Sequence, residues 1–69
     1  MYLWAVVYVA PNEPIAMMVK EYLTKEGFLV MIRHIGLPHF GASGTVEVLV
    51  PEGEVEEAQE ILSGAFDLT

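Results

Sequence analysis

The sequence predicts an α+β fold in the order strand, helix, strand, strand, helix (βαββα), with a three-stranded sheet and two helices on one of its faces. Three observations predict it. The chain opens on a run rich in β-branched and aromatic residues; two later segments repeat their apolar residues at helical spacing between cap signals; and two short apolar runs flank a glycine-rich loop, as in a hairpin.

The run YLWAVVYV ends at Pro11-Asn12 and reads as a largely buried first strand. NEPIAMMVKEYLTKEG follows with Asn12 as N-cap, Pro14 in the first turn where a missing N–H costs nothing, and Gly27 as the stop. Ile15, Met18, Val19, Tyr22 and Leu23 share the predicted inner side of this helix, opposite Met17, Lys20, Glu21 and Thr24. FLVMIRHI and TVEVLV are the second and third strands, antiparallel neighbours across the loop. The last segment, PEGEVEEAQEILSG, concentrates acids in its first turns, where they suit the helix dipole, and points Val55, Ala58, Ile61 and Leu62 inward. A right-handed first crossover leaves strands one and two parallel with the third between them, which is a ferredoxin-like plait without its last strand. The tail AFDLT is long enough only for a stub of that strand.

Two helices cover one face of such a sheet, so a lone monomer should show a polar opposite face. If Val46, Val48 and Val50 face the helices, then Thr45, Glu47 and Leu49 face away, with Leu29, Met31 and Arg33 beside them and an Arg33–Glu47 ion pair across the hairpin. The first strand adds either Trp4, Val6 and Tyr8 or Leu3, Ala5, Val7 and Val9. Both sets are apolar. Trp4, Val6, Tyr8, Leu29, Met31 and Leu49 are therefore the expected association surface. The alternative is that AFDLT or the loop folds back over part of it.

Size points the same way. A domain of 69 residues buries only about 60% of its unfolded surface. With no cysteine it has neither disulfides nor thiolate zinc sites to help, so a homo-oligomer, a dimer first of all, is the expected support. Three Lys and Arg against ten Asp and Glu leave a net charge of −7 and no basic cluster, which argues against nucleic acid and anionic membranes as partners. The opening run lacks the positive n-region and cleavage site of a signal peptide and is too short to span a bilayer, so a cytoplasmic location is expected.

Candidate chemistry is sparse. His34 and His39 supply at most half of a metal site, and no metal or other cofactor is expected. Glu52, Glu54, Glu56, Glu57 and Glu60 read as a solvated helix face rather than a paired-carboxylate centre. Met18 reads as core filling and Met31 as contact surface. None of the serines and threonines sits in a nucleophile elbow. The loop GLPHFGASG has no following Lys to hold phosphate; its glycines and Pro38 explain a hairpin, while His39 and Phe40 at its tip make Gly36, Pro38, His39, Phe40 and Gly41 a candidate ligand- or partner-binding loop.

MMVKEYLTKEGFLVMIR followed by GTVEVLVPEGEVEEAQEIL resembles the small prokaryotic signal-transducing protein family, whose members are similar in fold to PII regulators. The resemblance runs from Trp4 to Leu62, and its best mark is Val50-Pro51-Glu52 leading into an acidic helix that ends Glu60-Ile61-Leu62. It implies a regulatory or binding role and carries no catalytic residue with it; together with the sparse chemistry and the apolar sheet face, the expectation is a non-enzymatic module that acts through protein–protein association. A PII-like small-molecule sensor and a purely structural homo-oligomer are the alternatives. PII regulators hold nucleotide with basic residues and a long loop; the loop here is short and has no Lys or Arg.

Overall fold

The structure, a computed structural model, describes residues 3–35 and 45–66. Strand β1 spans Trp4–Ala10, helix α1 Glu13–Lys25, β2 Met31–His34 and β3 Val46–Pro51; a 3-10 turn at Glu52–Glu54 leads into α2, Val55–Phe66. The fold is α+β, with three strands in the order β1-β3-β2 and both pairings antiparallel. Because β1 and β2 each run against β3, they run parallel to one another.

The boundaries of α1 follow from local chemistry. Asn12 holds an extended backbone and its Oδ1 accepts the Ile15 N–H at 3.0 Å, which satisfies one of the free donors of the first turn. At the other end Gly27 takes φ +100°, its N–H donates to the Thr24 carbonyl at 3.0 Å, and the Phe28 N–H donates to the Leu23 carbonyl at 3.1 Å. This pair of bonds is the Schellman arrangement, which requires a left-handed residue and so favours glycine. It explains why β2 is shorter than the run FLVMIRHI suggests. The Phe28 N–H is spent on capping the helix, and the ladder with β3 begins only at Met31.

The core lies between the sheet and the helices. Val46, Val48 and Val50 of β3 pack in one cluster with Ala16, Val19 and Leu23 of α1 and Ala58 and Leu62 of α2, so both helices meet the same side of the sheet. Ile15, Tyr22, Val55 and Ile61 pack around this cluster, as their spacing predicts. Met18 does not. It is 50% exposed, and the small, fully buried Ala16 lies inside instead. At about 100° of rotation per residue, Met18 falls a quarter-turn outside the stripe centred on Val19, whereas Ala16 falls within it.

Helix α2 runs through Gly64 to Phe66, so Ala65 and Phe66 extend a helix and do not begin a strand stub. A Gly inside a helix costs about 1 kcal/mol relative to Ala but does not stop it unless a left-handed turn is needed there. Past Pro51, which has no N–H to give the ladder, the Glu52 N–H donates to the Leu3 carbonyl at 2.7 Å and ties the start of the 3-10 turn to the residue just before β1.

Candidate functional site

The side of the sheet turned away from the helices is built from alternate residues of the same strands. The register pairs Val6 with Leu49 and Leu49 with Met31, and Val9 with Glu47 and Glu47 with Arg33. Trp4 stands opposite Pro51 at one end; at the other, the Ile35 N–H donates to the Thr45 carbonyl at 2.9 Å, extending the β2–β3 ladder by one residue. Side chains alternate along each strand, so Trp4, Val6, Val9, Leu49, Met31 and Ile35 share this outer face with the polar Glu47, Arg33 and Thr45.

Tyr8 is not among them. The register of β1 against β3 shifts between Val6 and Tyr8, leaving Val7 as an extra residue, and after this bulge the alternation of β1 is inverted. Tyr8 therefore pairs with Val48 on the helix side and packs against the core, while Val9 takes the outer position. Neither set of residues that the first strand offers by strict alternation is found intact. The outer face takes Trp4 and Val6 from one and Val9 from the other.

Burial across this face is uneven. Leu49, on the central strand, is 1% exposed although it lies outside the helix-side cluster, whereas Trp4, Val9, Met31 and Ile35 around it are a third to a half exposed; Leu29, expected beside them, is exposed but precedes the β2 ladder. The face is an apolar rim around a buried centre. Its polar corner is the ion pair foreseen from the hairpin register. Arg33 donates through Nε at 2.8 Å and Nη2 at 2.6 Å, both to Oε1 of Glu47. The Glu47 side chain is only 17% exposed against 56% for Arg33, so the carboxylate is shielded while the guanidinium stays wet. Two bonds to one oxygen leave Oε2 as a further acceptor.

The other candidates are dispersed. His34 lies at the end of β2 with Nε2 3.5 Å from Oε2 of Glu13 at the start of α1, both side chains exposed. Among the described residues no three His, Asp or Glu converge as metal ligands. Glu52, Glu56, Glu57 and Glu60 are exposed, and Glu56 and Glu60 border a shallow hollow with Gln59 and Ser63 on α2. A second hollow follows the outer side of α1 past Pro14, Met17, Met18 and Thr24. The Thr24 hydroxyl is engaged, donating to the Lys20 carbonyl at 2.8 Å. The loop residues Gly36, Pro38, His39, Phe40 and Gly41 lie outside the described residues.

Sequence reasoning placed Trp4, Val6, Met31 and Leu49 on a common side, offered Val9 only in the alternative set of β1, and missed Ile35. The bulge that turns Val9 outward has no signature in a run as uniformly apolar as AVVYVA. Ile35 was open to inference, since it continues the Met31, Arg33 alternation. Among the described residues no helix is long and apolar enough to cross a membrane. No family model matches the chain, and no curated protein or solved structure is significantly similar to it.

Proposed function

We propose that this chain is a non-enzymatic regulatory or binding module, cytoplasmic, that works through protein–protein association and self-associates as a dimer. The observation that supports this most is the outer sheet face: an apolar rim of Trp4, Val9, Met31 and Ile35, with helices on the opposite side of the sheet. Contiguous apolar surface of this kind marks contact sites in soluble proteins. The strand order β1-β3-β2, with helices following β1 and β3, supports reading the fold as a ferredoxin-like plait lacking its fourth strand. That reading, with the step from Val50-Pro51-Glu52 into an acidic helix, supports in turn the kinship with PII-like signal-transducing proteins.

Light scattering on the purified chain at micromolar concentration tests the association. A mass of at least twice 7.6 kDa is expected, and a clean monomer overturns the proposal. A purely structural oligomer would show the same mass. It differs in that outer-face substitutions would then alter assembly without altering the activity of any signalling protein reconstituted with the chain.

A further inference from the structure

Resting on that association reading, we infer that the partner at the outer face is a second copy of this chain, docked sheet against sheet rather than added as a strand along the edge of β1. Charge placement carries the inference. Of the nine glutamates, eight belong to α1, α2, the 3-10 turn or the C-cap of α1, and so do both lysines, which leaves minus six on the helical layer. The sheet carries only Arg33 and Glu47, already paired at 2.6 Å, and is neutral. The helical layer therefore repels a second copy of a chain of net charge −7, and the sheet does not. Apposed outer faces put the two acidic layers roughly 30 Å apart, three interlayer spacings of about 10 Å, where salt at physiological strength screens their repulsion within a Debye length of about 8 Å.

The polar corner suits a copy of itself. A surface holding one cation and one anion is self-complementary across a two-fold axis. Arg33 keeps donors beyond the two it gives Glu47 Oε1, and Glu47 keeps Oε2, so the two pairs can join into one network in an otherwise apolar contact. Strand addition fits less well. The bulge at Val7 breaks the regular spacing of β1, a device that blunts edge pairing.

Sedimentation equilibrium on full-length variants decides it. Val9→Lys/Met31→Lys places two charges on the outer face at positions already 51% and 36% exposed, while Leu3→Lys/Met17→Lys places the same charges off it at 65% and 45% exposed positions. Both variants lower the net negative charge equally, so a dimer weakened in the outer-face variant alone cannot be blamed on a change in overall charge. The outer-face variant is expected to raise the dimer Kd at least about a hundredfold with its circular dichroism unchanged. The control should stay within about threefold of the wild-type Kd. A folded Val9→Lys/Met31→Lys variant with wild-type Kd overturns sheet-on-sheet docking while leaving association intact. A wild-type chain that is monomeric at every concentration overturns association itself. If the lysine variant loses its fold, the neutral Val9→Thr/Met31→Gln variant takes its place, with a weakening of at least about tenfold expected and an unchanged Kd again overturning the inference.

Discussion

The inner and outer faces of the sheet come from the same three strands, and they differ at their margins more than along β3. Val46, Val48 and Val50 are buried against α1 and α2, and between them Leu49, which looks the other way, is equally buried; the apolar residues that stay a third to a half exposed on the outer side, Trp4, Val9, Met31 and Ile35, lie on β1 and along β2. Period-two alternation sends residues to both faces with equal ease; what separates the faces is that the chain's helices cover one of them. The exposed apolar rim of the outer face, around the buried Leu49, is thus surface that the two helices do not cover.

The sharpest way to break the comparison is to cut into the inner face. Leu23→Ala removes a fully buried side chain and should cost about 3–5 kcal/mol, comparable to the whole stability of a domain this small, so urea unfolding should find it largely unfolded or close to it. A loss below about 1 kcal/mol would mean that the inner face is not the organising core. The matching outer-face truncation, Met31→Ala, should cost under about 1 kcal/mol when measured dilute enough to hold the chain monomeric, because Met31 starts 36% exposed. Equal losses at the two positions would erase the distinction between the faces.

The next effect concerns the turn that delivers β2 to the sheet. Gly27→Ala forces a side chain into φ +100°, with open space around the added Cβ, so the cost is conformational alone and should be about 1–2 kcal/mol. A melting temperature unchanged in this variant would show that the turn relaxes to another conformation. Asn12→Ala should cost about 1 kcal/mol by removing the cap to Ile15, and Asn12→Asp should restore most of it. Smallest in its effect on folding is Glu47→Gln, which replaces the half-wet ion pair by a hydrogen bond from the still-charged Arg33 to an uncharged amide and should change monomer stability by at most about 1 kcal/mol. Its larger effect should fall on the proposed dimer, where the Arg33 charge would be desolvated with no carboxylate to balance it, and a variant that dimerises as tightly as the wild type would show that the pair lies at the periphery of the contact.

Much of this molecule is local and therefore legible. Asn12 and Gly27 bound α1 through hydrogen bonds spanning three to five residues, Ala58 and Leu62 lie inward by helical spacing, and the Arg33–Glu47 pair follows once the hairpin is in antiparallel register. Each rests on the residue's own chemistry and its nearest neighbours. The misreadings share a different origin. Met18 is apolar and one residue from the inner stripe, and only the way the helix rests on the sheet shows that Ala16, small enough for close approach, lies inside instead. The segment AFDLT, considered for a strand stub, instead begins with two residues of α2, whose backbone stays helical past Gly64.

By itself, then, the sequence determined the kinds of element, their order, their caps and the antiparallel pairing of β2 with β3, since propensity, capping and alternation act over a few residues. The tertiary structure alone decided which face each residue of β1 joins. In AVVYVA every side chain is acceptable on either side, and the choice belongs to the bulge at Val7, which exists only in the pairing with β3 and trades Tyr8 for Val9 on the outer face. It also decided that the charge is segregated, because acids far apart along the chain are gathered into one layer only when both helices pack on the same side of the sheet.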